Sequence, residues 1–216
     1  MFGFLSRRSE PIPVETLRAY LRFPERSDYP AWRDLRVASR PFLQPWEPSW
    51  ANDELSRLSF LSRIGRYERD FVEGSAIPMF LFRKSDDAIL GGVTIGHIRR
   101  GAAQSCMIGY WMGEPHAGNG YMSEAVMAVV PHIFGRLKLH RIEAACIPEN
   151  ERSIRILEKA GFRREGYLRG YLQINGTWRD HLLFARLKED RAEDILSRDA
   201  ERAALRADRE DGIEAR

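Results

Sequence analysis

The sequence predicts an α+β fold, a mixed and mostly antiparallel sheet of about seven strands carrying about four helices. Three observations carry that expectation. Residues 79–83, 88–97 and 104–112 are apolar, strand-like runs separated by short polar turns, the pattern of an antiparallel meander. The last of them, ending Met107-Ile108-Gly109-Tyr110-Trp111-Met112, runs through a turn containing Gly113, Gly118 and Gly120 straight into a helix rich in Met, Ala and Val. Near the end, Asn175-Gly176 joins two apolar-aromatic runs and marks a hairpin, because its tight turn needs positive φ at both central residues.

Taken in order, residues 14–23 read as one strand, and Ser27 and Asp28 open a helix over 27–38, short polar side chains being suited to cap free N–H groups. Pro41, Pro45 and Pro48 mark a loop, after which 52–73 reads as a second helix interrupted around Gly65. The meander follows, then a helix over 122–134 and a strand over 141–146. A short helix comes next: Asn150 stands at its N-cap, Ser153 in its first turn, and Ile154, Leu157 and Ala160 form an apolar stripe that Gly161 ends.

The chain has 216 residues, enough for one domain with a sizeable core, here assigned to 1–187, plus a charged extension over 188–216. That extension holds seven Lys/Arg against ten Asp/Glu and reads as a frayed helix or disorder, so the body is the basic part of a chain whose net charge is +3. A basic body suits an anionic ligand; a direct nucleic-acid function is not expected from so moderate a balance. No apolar stretch approaches a membrane span, and Met1-Phe2-Gly3-Phe4-Leu5 is too short for a signal-peptide core, so a cytoplasmic protein without membrane partners is expected, monomer or homodimer. Cys106 and Cys146 lie in apolar runs without C-x-x-C spacing, which points to two buried reduced thiols and no metal.

The turn at 113–120 carries the first functional signal. A helix start leaves its leading N–H groups unpaired and partially positive, and Gly118 and Gly120 let a ligand come close to the main chain, an arrangement that holds phosphates. The spacing fits neither G-x-G-x-x-G nor a P-loop, which leaves a pyrophosphate of another carrier, or an ordinary glycine turn that binds nothing. The second signal is Ile147-Pro148-Glu149-Asn150-Glu151-Arg152-Ser153, continuing to Glu158-Lys159-Ala160-Gly161-Phe162.

These two blocks, in this order, resemble the GCN5-related N-acetyltransferases (GNAT), whose pyrophosphate loop and following Asn-bearing helix ending in Gly-Phe they match. A third block, Ile174-Asn175-Gly176-Thr177-Trp178-Arg179-Asp180-His181, looks like the ribosomal-protein-alanine N-acetyltransferase branch, RimJ/RimL-like, of that superfamily. The resemblance implies an α/β/α layered acyl-CoA N-acyltransferase fold with a splayed central strand pair, acetyl-CoA as cosubstrate, and transfer of acetyl to a primary amine. The acceptor it implies is the N-terminal alanine or serine of a ribosomal protein. A small amine such as an antibiotic or polyamine, or a catalytically silent CoA-binding module, are the alternatives.

Carried over residue by residue, the resemblance assigns Tyr110, Trp111 and Met112 to the strand that lines the cofactor, one N–H of Trp111 or Met112 being the candidate oxyanion donor. His116, Ala117, Gly118, Asn119, Gly120 and Tyr121 become the pyrophosphate cradle, although Pro115 stands where the family usually has Arg or Gln. Asn150 either contacts pantetheine or simply caps its helix. Leu157 occupies the position of a tyrosine acid found in many relatives, so Ser153 is the candidate general acid, with a helix-start role as the alternative. Leu172 occupies the position of a relative's glutamate base; Glu114, His97 and Asp180 are the remaining candidates, or solvent suffices.

Overall fold

The computed structural model describes residues 13–190, so the extension from residue 191 onward and the first twelve residues lie outside it. Its strands are β1 Val14–Glu15, β2 Ala19–Arg22, β3 Ile77–Arg83, β4 Ile89–Arg99, β5 Ser105–Met112, β6 Arg141–Cys146, β7 Arg163–Ile174 and β8 Thr177–Leu187. They form one eight-stranded sheet in the order β1-β2-β3-β4-β5-β6-β8-β7. Neighbours are antiparallel throughout except for β5 and β6, which run parallel.

The α-helices are α1 Tyr29–Ala38, α2 Arg40–Leu43, α3 Arg57–Glu73, α4 Tyr121–Gly135 and α5 Glu151–Lys159. Because successive side chains of a strand point to opposite faces, β3 feeds two cores at once. Phe80 and Phe82 meet Trp32, Leu35, Phe60 and Ile64 of α1 and α3 on one face. Met79 and Leu81 join Val126, Val129, Ile133 and Leu157 of α4 and α5 on the other. The result is the α/β/α layering that the resemblance implies. Among the described residues no helix is long and apolar enough to cross a membrane.

Local chemistry changes several boundaries. Residues 14–23 make two strands, because the Thr16 hydroxyl accepts from Ala19 N–H at 2.9 Å and donates to Ala19 O at 3.0 Å, folding the chain into a turn. The first helix begins with a 3-10 turn, and Asp28 serves there by accepting Arg22 at 2.6 Å instead of capping α1. The second starts at Arg57, where Ser56 Oγ accepts Ser59 N–H at 3.1 Å, and it passes Gly65 unbroken. The proline-rich segment is wound into α2 and a 3-10 turn, Gln44–Trp46, since proline is tolerated in a first helical turn. Those changes raise the strand and helix counts above the expected ones. The closing hairpin forms as expected, with φ of 45° at Asn175 and 81° at Gly176. Its outer strand β7 is bulged between Arg164 and Gly166 and again between Leu168 and Leu172.

Candidate active site

β5 and β6 pair only at Ser105 with Arg141, Cys106 with Ile142 and Met107 with Glu143. Beyond that point β5 follows β4 as far as Met112 and β6 follows β8 as far as Cys146, so a wedge opens between the two parallel strands. Gly113 N–H donates to Leu90 O at 2.8 Å, which fixes the alternation along β5. Gly109 and Trp111 therefore turn their backbone groups to β4, while Ile108, Tyr110 and Met112 present theirs to the wedge. Of the two candidate oxyanion donors, only Met112 N–H faces the open side. The Trp111 ring belongs to the opposite face, edge-on to Phe80 and stacked near the Arg36 guanidinium.

At the mouth of the wedge the chain makes a 3-10 turn, Glu114–His116, and then the glycine turn into α4. Gly118 and Gly120 both have φ near +80°, at 81° and 82°. A Cβ on Gly118 would meet no heavy atom within 4 Å, so the space over this turn is open to a ligand. Asn119 folds its Nδ2 back onto the carbonyls of His116 and Ala117, at 3.2 and 3.3 Å. That leaves the N–H groups at the start of α4 facing out, a suitable site for phosphate oxygens. His116 flanks the turn; burial and the neighbouring Arg83 hold its imidazole below the usual range against the pull of Asp86, so it is uncharged at neutral pH. It can offer a hydrogen bond there, not a charge.

On the far side of the wedge, Asn150 Oδ1 accepts the Ser153 N–H at 3.1 Å and so caps α5, leaving its amide NH2 as a donor. Leu157 is fully buried and anchors the helix. Ser153 Oγ lies 2.8 Å from the Tyr110 hydroxyl, which also donates to Ser153 O at 3.3 Å. Tyr110 thus reaches from β5 across the wedge to α5. Burial raises its phenol above the ordinary range despite the opposing hydrogen bond, keeping it a neutral donor. Cys146 stands beside Ser153, its thiol pushed up to about 11 by burial. In the sequence Tyr110 belongs to the strand assigned to the cofactor, and no motif marks its side chain as a partner of Ser153. The one signal available was alternation, which puts it on the same face as Cys106 and Ile108.

A cavity near the head of α5 is built from two distant segments. It measures about 350 Å³ and lies between Pro41, Gln44 and Pro45 on one wall and Ile174, Asn175, Thr177 and Arg179 on the other. Asn175 N–H donates to Glu47 O at 2.9 Å and Gln44 Nε2 to Asn175 Oδ1 at 3.1 Å, tying the hairpin tip to the 44–47 segment. The Glu47 carboxylate is gripped by Arg36 at 2.7 Å and Trp50 Nε1 at 2.8 Å. Arg179 pairs with Glu149 at 3.1 Å, one residue before Asn150, and so connects the cavity to the head of α5. Glu114 is exposed in the 3-10 turn at the mouth of the wedge, its N–H bound to Ser39 Oγ at 2.9 Å at the α1–α2 junction. The other two base candidates are elsewhere: His97 is exposed at the closed end of β4, and Asp180 is occupied by Tyr167 OH at 2.6 Å and Gly170 N–H at 2.7 Å, where it holds the β7 bulge.

A wedge between parallel strands with a phosphate-ready helix start at its mouth, and a cavity tied to the head of α5 through Arg179 and Glu149, suit a transferase that holds two substrates. Residues 18–163 match the acetyltransferase (GNAT) domain family, and the chain belongs to it. It is an acetyl-transferring enzyme. It is 39% identical over 171 residues to "Probable N-acetyltransferase YjcK" of Bacillus subtilis (strain 168), covering 79% of this chain and 94% of that one. It is 34% identical over 187 residues to the [ribosomal protein uS5]-alanine N-acetyltransferase of Escherichia coli (strain K12), covering 86% and 95%. Among solved structures, Mycobacterium smegmatis RimJ in complex with CoA-disulfide superposes with a TM-score of 0.80 at 33% identity, covering 89% of this chain and 95% of that chain.

Proposed function

We propose that the enzyme transfers acetyl from acetyl-CoA to the N-terminal α-amine of a ribosomal protein beginning with alanine or serine. The observation that carries the reading is the wedge itself: Ile108, Tyr110 and Met112 of β5 turn their backbone groups into it, the α4 turn stands at its mouth, and the Arg179–Glu149 pair ties the neighbouring cavity to the head of α5. The relation to the uS5-alanine enzyme over 86% of the chain supports the acceptor. Residues 1–187 form the catalytic unit and the cytoplasm is its compartment.

In this mechanism the N–H groups of 117–121 hold the pyrophosphate, with His116 beside them. Met112 N–H receives the thioester carbonyl oxygen as negative charge develops on it, a contribution of about 3 kcal/mol for one well-aimed donor. Asn150 keeps Ser153 in place through its cap and has its amide free for the pantetheine chain. Ser153, its hydroxyl oriented by Tyr110, donates a proton to the departing thiolate and is reprotonated from the solvent that takes up the proton released by the amine. The acceptor amine enters from the cavity side and loses its proton to solvent or to Glu114 at the mouth of the wedge; an N-terminal amine has a reference pKa of about 8 and needs no strong base.

The test is release of free thiol when the protein is incubated with acetyl-CoA and a panel of acceptors: short peptides starting with Ala or Ser, the same peptides with blocked N-termini, polyamines and aminoglycosides. Release with free Ala or Ser peptides and none with blocked ones is expected. Release with the small amines alone would replace the acceptor, and CoA binding without release on any amine would replace the activity.

A further inference from the structure

We propose that Arg18, in the turn between β1 and β2, sets the geometry and charge of the phosphate cradle. The inference rests on reading 117–121 as that cradle. Pro115, at the entry to the turn, has no side-chain donor, so a cation at the turn has to come from another part of the chain. Arg18 reaches it from a hundred residues away in sequence: Nη2 donates to Asn119 O at 2.7 Å and Nε to Glu124 Oε1 at 2.8 Å. Its guanidinium lies 4.4 Å over the Tyr121 ring. Gly120 makes room for it, since a Cβ there would sit 3.3 Å from Nη2.

Each contact has a consequence for an anionic ligand. Asn119 O is the carbonyl just before the N-cap Gly120, and its bond to Arg18 engages that oxygen, so that its negative end is partly neutralised where a phosphate would sit. Glu124 is an acid in the first turns of α4, where its charge favours the bare helix but opposes a bound anion. Arg18 neutralises it, and Thr16 Oγ1 fixes the second carboxylate oxygen at 3.3 Å. The carboxyl is accordingly held below its ordinary range, with the Arg18 hydrogen bond and charge outweighing burial. Arg18 is therefore a positioning residue, acting on the ligand through the loop and through Glu124.

The test is calorimetric titration of CoA and of dephospho-CoA, which lacks the 3′-phosphate, into the full chain and its Arg18→Met, Arg18→Lys, Glu124→Gln and Arg18→Met/Glu124→Gln variants, each checked for folding by its melting curve. Arg18→Met is expected to weaken CoA about two- to thirtyfold, the span for one uncompensated charge at a helix N-terminus. The same factor is expected for dephospho-CoA, and the double variant should recover most of the loss because the unneutralised carboxylate is gone. Should Arg18→Met fail to fold, the comparison rests on Arg18→Lys, which keeps the charge without the two-pronged grip and should bind several-fold more weakly. A folded Arg18 variant with parental affinity overturns the proposal and leaves the cradle standing, as does a loss seen with CoA but not dephospho-CoA. A parent chain that binds no CoA removes both.

Discussion

Replacing Ser153 by alanine removes one hydroxyl from the head of α5 and leaves its cap intact, because the cap is the Asn150 carboxamide accepting the backbone N–H of residue 153. What is lost is the 2.8 Å contact with Tyr110. A neutral hydrogen bond of this kind contributes about 1 kcal/mol. Alanine returns a few tenths through better helix propensity. For a folded unit of this size, 1 kcal/mol is a melting shift of about 2–4 °C, so the variant should fold and melt slightly early. Its turnover should fall far more, by about a hundredfold, the lower range for removal of a general acid. Tyr110→Phe should produce the same small melting shift but only about a tenfold loss, since the proton donor remains and only its orientation is disturbed. The two act as a unit, so the double variant should resemble Ser153→Ala alone. Thiol release at saturating substrates, measured with melting curves on the same preparations, reads all of this. A Ser153→Ala protein that melts early and turns over at the parental rate would remove Ser153 from the chemistry and leave the pair as a strut between β5 and α5.

Gly118→Val should raise the dissociation constant for CoA more than tenfold by titration while the fold persists at a cost of about 1–2 kcal/mol, because its Cβ meets no protein atom but sits at positive φ in the path of a ligand; unchanged affinity would mean that these amides are not the cradle. Both thiols are pushed up by burial, Cys106 to about 12 and Cys146 to about 11, so neither should react with a disulfide reagent at pH 7.5 until the chain is unfolded, when two react; a stoichiometric native reaction contradicts the burial. His116 and His132 are both held below the ordinary histidine value by burial first and by Arg83 and Arg136 second. A group whose folded pKa is depressed stabilises above its unfolded value, about 6.5, and that share is lost as pH falls through the folded value, so melting temperature should drop below pH 6.5 and drop less in His116→Gln. Arg179→Ala should raise the Michaelis constant for a peptide acceptor and leave that for acetyl-CoA alone; the reverse pattern would move the cavity to the cofactor side.

Elements set by local chemistry were legible in the sequence. The strand at 141–146, the Asn150-capped helix and the Asn175-Gly176 hairpin each carry their own signal in a few adjacent residues, and each forms where expected. The misjudged boundaries are places where a side chain does something its residue type does not announce: Thr16 closing a turn on Ala19, Asp28 taken by Arg22, Ser56 capping a helix expected to start at residue 52. Gly65 reads as a break by composition, yet α3 carries it because Phe60 and Ile64 bury their face of the helix. The site divides in the same way. The glycine turn and the α5 cap are contiguous motifs, but the meeting of Tyr110 with Ser153 and of Arg18 with Asn119 depends on which strands become neighbours. No spacing rule encodes that.

The bond from the hairpin tip to Glu47 makes the cavity wall a single component assembled from two distant stretches of chain. Exchanging the hairpin for that of another acetyltransferase would strand the Glu47 carbonyl and the Gln44 amide, and exchanging the 40–50 segment would strand the Asn175 amide, so neither transplant alone rebuilds the proposed acceptor wall. The functional module is the pair. Recombination that respects it must move residues 36–50 with 173–179, taking Arg36 along because its guanidinium holds the Glu47 carboxylate from inside the protein. Libraries built by varying one wall at a time would sample a seam that the other wall does not fit.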